Sequence, residues 1–133
     1  MSAGAFYSLT PVLVVDAIEP SLDFWVDRLG FEKTVEVPEG ERLGFVILQK
    51  GPVQVMLQTR ESLDHDAPSV LPPGPSPANL FVIVDDLDEV ERVMIGIAPV
   101  LPRRKTFYGM DEIGFREPGG HVVVFAKPVG EDA

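Results

Sequence analysis

Apolar and polar positions follow the same order in both halves of the chain. An apolar run ends at Asp16 in the first half, and a similar run ends at Asp85 in the second. Each run is followed by a segment whose apolar residues recur every three or four positions, as on one face of a helix. The halves also close alike, because residues 49–57 and 117–125 each contain a turn followed by an apolar run. This pattern predicts two copies of one module.

The first module, residues 5–63, is predicted to hold one helix and four strands. The predicted elements are a strand at 6–15, a helix at 20–29 and strands at 31–37, 43–49 and 53–59. Pro20 suits the first turn of the helix, and Gly30 suits the left-handed residue that ends it. Trp25 shares a helical face with two leucines, so we expect it in the core.

The second module, residues 78–128, repeats this order after a linker at 64–77. The linker contains five prolines, which exclude a regular helix or a central strand and leave a semi-rigid extended spacer as an alternative. The predicted elements of the second module are a strand at 78–84, a helix at 87–95, short strands near 99–101, 104–108 and 112–116, and a last strand at 121–126. All 133 residues are expected to form one domain.

Composition and charge exclude several functions. The net charge of −10 opposes nucleic-acid binding, since the only dense basic run is 103–105. The chain has no cysteine, so disulfides, thiolate metal sites and cysteine nucleophiles are excluded, and a cytoplasmic location is expected. No run approaches the roughly 20 apolar residues that a membrane helix requires, so no membrane partner is expected.

Several sequence pieces, in their order and spacing, resemble one known family. The pieces are 11–15 leading to 21–25, then 28–31, 82–88, 108–110 and 117–121. Together they cover about residues 9–127 and resemble the vicinal oxygen chelate superfamily, which holds glyoxalase I, extradiol dioxygenases, fosfomycin-resistance enzymes and bleomycin-resistance proteins. The resemblance implies an α+β fold in which two βαβββ modules form an incomplete curved barrel around a cleft.

Metal-dependent members of that superfamily take one ligand from the first strand and one from the last strand of each module. The resemblance and the internal repeat place Thr10, Met56, Asn79 and Val124 at these four positions. Valine has no donor atom, the methionine thioether suits Cu(I), and threonine and asparagine are weak neutral donors. The sequence therefore predicts neither a metal site nor another cofactor.

Other candidates for chemistry are weaker still. His65 lies in the linker and His121 at a hairpin turn, so they are not expected to converge on a metal. No glycine-rich phosphate loop and no serine elbow is present. Asp111, Glu112 and Glu117 cluster beside turns, where acidic side chains are usually solvated, although paired carboxylates can act as acid and base. No catalytic residue is assigned.

Without a metal, the resemblance points to the bleomycin-resistance type, whose members are dimers that sequester a drug at the subunit junction. The expected ligand contacts are Tyr108, Phe107, Met110, Glu112, Phe45, Asn79 and Met56. Aromatic faces stack on flat rings and attract cations, and acidic neighbours favour positive charge. On a strand Phe107 and Tyr108 would face opposite sides, and Tyr108 is preferred for the cleft. We therefore expect a homodimer that binds a flat or cationic drug-like molecule, a role in antibiotic resistance.

Two other functions stay open. The chain fits an enzyme of the same superfamily, a lyase, isomerase or dioxygenase with a non-standard site. It also fits an interaction module that binds a protein through its acidic surface. Metal content separates the enzyme from the metal-free binder, and a filled cleft would favour the interaction module.

Overall fold

The computed structural model describes residues 3–130 and contains two similar sheets with helices. The elements are β1 (Val12–Val15), α1 (Glu19–Leu22) continued by a π-helical segment (Asp23–Arg28), β2 (Glu32–Glu39), β3 (Arg42–Lys50), β4 (Val53–Thr59), α2 (Arg60–Asp66), a 3₁₀ turn (Pro68–Val70), β5 (Asn79–Ile83), α3 (Leu87–Val93), β6 (Leu101–Lys105), β7 (Met110–Arg116) and β8 (Val122–Pro128). In the described part of the chain, every helix is too short or too polar to cross a membrane.

Both sheets have the same strand order, which confirms the predicted α+β class. The first sheet is ordered β1-β4-β3-β2 and the second β5-β8-β7-β6. In each sheet the first strand of the module runs parallel to the last, and the other neighbours are antiparallel. The two sheets are separate and are not closed into a barrel.

The first helical region ends as predicted. Gly30 has a φ of 80°, its N–H donates to the carbonyl of Val26 at 3.1 Å, and the N–H of Phe31 donates to that of Trp25 at 2.9 Å. These bonds occupy carbonyl groups that the helix end would otherwise leave unpaired. Trp25 and Phe24 are both buried in the core, as expected for Trp25.

Element bounds differ most from the prediction in three places. The strand β1 begins at Val12, and residues 6–9 before it are exposed. The helix α2 crosses the expected boundary between module and linker, because Thr59 caps it by accepting the N–H of Ser62 at 3.1 Å. The two short strands predicted near 99–101 and 104–108 are one strand, β6.

One hydrophobic core serves both sheets. Each sheet turns alternate residues towards the helices, and those residues belong to a single buried cluster. The other face of each sheet, which we call its open face, therefore points away from that common core. Phe81 and Ile83 on the second open face are each 53% exposed, and Val12, Val35 and Val37 on the first are nearly as exposed.

Candidate functional site

The four family metal positions lie on the open faces, two on each sheet. Met56 pairs with Ile47 of β3, and Val124 pairs with Phe81 of β5, so both are among the side chains that face away from the core. Thr10 lies just before β1 and Asn79 begins β5. The positions therefore form two equivalent pairs, one pair on the open face of each sheet.

The side chains at these positions do not fit a metal ion. The Thr10 hydroxyl donates to Oε1 of Gln54 at 3.0 Å, so a neighbouring amide already engages it. Met56 offers a soft thioether and Val124 offers no donor. Within residues 3–130, no group of three or more histidine or acidic side chains is arranged to hold a metal. The donor set therefore disagrees with the metal chemistry of the superfamily.

Glu112 lies on the second open face with its carboxylate buried. It pairs with Ala126, the neighbour of Ile83, and its side chain is 2% exposed. Arg104 donates to Oε1 from Nε at 2.9 Å and from Nη2 at 2.8 Å, and the Tyr108 hydroxyl lies 3.3 and 3.4 Å from the two carboxylate oxygens. The hydrogen bond to Glu112 raises the pKa of Arg104 above its ordinary value.

A second arginine of β6 pairs with the other acidic residue of β7. Arg103 donates to Asp111 at 2.9 Å and also reaches Asp88 and Glu91 of α3. The hydrogen bond from Arg103 holds the pKa of Asp111 below its ordinary value. Both β7 carboxylates therefore have a cationic partner, and the expected attraction of a cation beside Tyr108 is largely offset.

Phe107 and Tyr108 lie in the turn between β6 and β7, where a strand was predicted. The Phe107 ring is fully exposed and meets the Tyr108 ring edge to face, with 5.1 Å between centroids. The strand β6 ends at Lys105, and Gly109, with a φ of 84°, lies in the turn that leads into β7. The argument that the two aromatics face opposite sides of a strand was therefore wrong, and Met110 follows them at the start of β7.

The predicted ligand contacts form two groups in one chain. Five belong to the second sheet and its turn, namely Tyr108, Phe107, Met110, Glu112 and Asn79. Phe45 and Met56 belong to the first sheet. Because the open faces point away from a common core, a single chain does not bring these groups together.

A cavity of about 440 Å³ lies over the first open face, between Phe45 and the helix α2. Its lining adds Gln58 of β4, Ser62, His65 and Asp66 of α2, and Glu39 of β2. Of the predicted ligand contacts only Phe45 lies here, because residues 60–63 were assigned to no helix or strand and residues 64–66 to the linker. Thr59 ahead of the proline-free stretch 60–67 was the available helix signal.

His121 and Glu117 join the two modules. The His121 Nδ1 accepts the N–H of Ala78 at 2.8 Å, and its Nε2 donates to the carbonyl of Val14 at 2.9 Å. Glu117 accepts the Ser21 hydroxyl at 2.9 Å and the backbone N–H of His121 at 3.1 Å. His121 does lie at the expected hairpin, but its buried ring uses both nitrogens, so it is a structural residue.

Comparisons with known proteins support the fold. The family model described as Glyoxalase/Bleomycin resistance protein/Dioxygenase superfamily matches residues 9–125. None of the curated proteins shows a significant match.

Solved structures share the fold at low sequence identity. A glyoxalase/bleomycin resistance protein/dioxygenase from Nocardioides has a TM-score of 0.74 at 16% identity over 97% of this chain and 88% of its own. A lactoylglutathione lyase from Agrobacterium tumefaciens has a TM-score of 0.74 at 18% identity, covering 93% and 95%. TioX from Micromonospora sp. ML1 has a TM-score of 0.71 at 19% identity, covering 92% and 99%. On the family match, the chain belongs to the glyoxalase/bleomycin resistance protein/dioxygenase superfamily.

Proposed function

We propose that this chain is a metal-free small-molecule-binding protein that sequesters a flat, drug-like ligand. One observation carries the proposal. At the superfamily's metal positions the open faces hold Thr10, Met56, Asn79 and Val124, while apolar and aromatic side chains nearby stay half exposed. Such faces offer area for stacking and burial of a ligand, but little that would hold and activate a metal ion.

A homodimer is part of the proposal. Exposed apolar patches of this kind mark surfaces that a partner covers. If the first open face of one copy meets the second open face of the other, a two-fold axis covers all four faces in one closed dimer. If the same open face of each copy met instead, the other open face of both copies would stay exposed to solvent. The closed arrangement places Phe45 and Met56 opposite Tyr108 of the second copy, which reunites the two groups of predicted contacts.

Calorimetric titration with a panel of flat aromatic compounds tests the binding function. We expect at least one compound to bind with one site per cleft, and Phe45→Ala to weaken it. Phe6→Ala is the matched control, since Phe6 is exposed and precedes β1. The absence of binding heat across the panel would argue strongly against the proposal.

Elemental analysis of protein purified without chelators separates the proposal from its main alternative. The proposal expects no stoichiometric transition metal. Stoichiometric iron, manganese, nickel or zinc would instead favour a lyase, isomerase or dioxygenase with a non-standard site.

A further inference from the structure

We propose that the turn between β6 and β7 of one copy inserts its Phe107 ring into the cavity beside Phe45 of a second copy. This inference rests on the proposed homodimer and names the contact that holds its two copies together. Phe107 is then an interface residue and not the ligand contact that the sequence suggests. In a two-fold dimer the contact forms twice, once in each direction.

Hydrogen bonds hold the turn that carries Phe107 in one conformation. The Thr106 N–H donates to the carbonyl of Met110 at 2.7 Å, and the Thr106 hydroxyl accepts the N–H of Met110 at 2.9 Å. The Gly109 N–H donates to the carbonyl of Thr106 at 3.3 Å, and the Gly109 carbonyl accepts the N–H of Val129 at 2.8 Å. Because the backbone is already ordered, little conformational freedom is lost when a partner binds the ring.

The Phe107 ring is 100% exposed in its own chain, although it meets the Tyr108 ring edge to face. A large aromatic side chain contributes to binding when a partner buries it. Beside the ring, Tyr108 and Arg104 both contact the carboxylate of Glu112. Phenylalanine, tyrosine and arginine are the residue types that are enriched in interfaces between proteins, so the turn has the composition of an interface.

The cavity beside Phe45 offers space for the ring. It measures about 440 Å³ and lies on the first open face, which the proposed dimer places against the second open face of the other copy. Phe45 and Val37 supply apolar surface in its lining, and Val37 is 48% exposed in one chain. A phenylalanine ring that enters the cavity loses its own contact with water and also covers these two side chains.

Charge favours the same pairing of turn and cavity. Arg104 and Glu112 form an ion pair beside the turn, but the arginine side chain is 54% exposed and the glutamate side chain only 2%. A partner therefore meets the guanidinium group rather than the carboxylate. Glu39 and Asp66 line the cavity, and the described residues around it include neither lysine nor arginine. The opposite charges orient the two surfaces, whereas two copies of the cavity facing each other would bring carboxylates together.

Sedimentation equilibrium of the full chain with Phe107→Ala tests the contact. We expect a dimer dissociation constant at least about 30-fold above that of the parent, as for a central interface residue. The substitution should leave the single chain folded, because the ring is fully exposed there. Phe6→Ala is the matched control and should not change the constant, since Phe6 is also exposed but precedes β1.

Cross-linking tests where the turn lies, because the chain has no cysteine of its own. An equimolar mixture of Phe107→Cys and His65→Cys chains should form a disulfide between positions 107 and 65 under mild oxidation, because His65 lines the cavity. Mass spectrometry detects the linked peptides, and the mixture ensures that they come from different chains. Phe107→Cys mixed with Asp64→Cys is the control and should stay unlinked, since Asp64 lies on the same helix outside the cavity.

A dissociation constant for Phe107→Ala within about twofold of that for Phe6→Ala would overturn the inference, as would the absence of the disulfide between positions 107 and 65. If the parent is a dimer in that case, the homodimer of the proposed function stands and only this contact is wrong. If the parent sediments as one chain at every concentration, both the homodimer and this contact are wrong.

Discussion

Replacing Ser21 by alanine tests the buried hydrogen bond that connects the two modules. Ser21 is buried in α1, and its hydroxyl donates to Oε2 of Glu117 at 2.9 Å across the modules. Glu117 is 1% exposed, and its other carboxylate oxygen accepts the N–H of His121. Ser21→Ala leaves Oε2 without this donor. An unsatisfied buried acceptor costs about 1–3 kcal/mol, so we expect the free energy of unfolding to fall by that amount.

The expected change is large enough to measure by thermal unfolding. With an unfolding entropy of about 2.1 cal/mol/K per residue, each kcal/mol corresponds to roughly 3.5 °C in a chain of this length. Circular dichroism or calorimetry should therefore show a Tm about 4–10 °C below that of the parent. Ser69→Ala is the control, because Ser69 is exposed in the linker. A Ser21→Ala variant within about 0.5 kcal/mol of the parent would refute the role assigned to this bond.

Three further predictions follow from the same structure. Gly119→Ala should lower the free energy of unfolding, measured in urea, by about 1–3 kcal/mol, because the new methyl carbon would lie 2.4 Å from Val15 of β1. Gly74→Ala is the control and should be neutral, because its methyl carbon would meet no atom within 4 Å. The pKa of Asp111 lies below its ordinary value of 3.8. Its ion pair therefore stabilises the fold above that pH, and the contribution is lost as the pH falls through the lowered pKa. In Asp111→Asn, the free energy of unfolding should depend less on pH below 3.8 than it does in the parent. Phe81→Ser should raise the monomer fraction in gel filtration, while Ile95→Ser, on an exposed residue just beyond α3, should not.

The repeat and the order of elements were predictable because they depend on local patterns. Apolar periodicity and glycine stops fixed the strands and the first helix, including the cap at Gly30. The helix α2 was not predicted, because the prolines from Pro68 onward led to the interpretation of residues 64–77 as a linker. The turn at Phe107 and Tyr108 was not predicted because Gly109 was not recognised as a turn residue between two strands.

The sequence did not predict the ion pairs of the β7 carboxylates or which sheet faces form the cleft. Whether Glu112 faces Arg104 depends on the register between β6 and β7, which contains an irregularity before Arg104. Which sheet faces which depends on how whole modules pack, since apolar patterns do not distinguish one partner face from another. The sequence therefore placed Phe45 on the correct strand, but it placed Tyr108 on a strand instead of a turn and did not show that the two residues belong to separate sheets.

Sedimentation equilibrium will show whether the binding cleft is formed by two copies of the chain. A homodimer should give a mass of about twice that of one chain, because the open faces around Phe81 and Val12 would then be covered. A mass equal to one chain at every concentration would contradict it, since those faces would remain bare and Phe45 would never meet Tyr108.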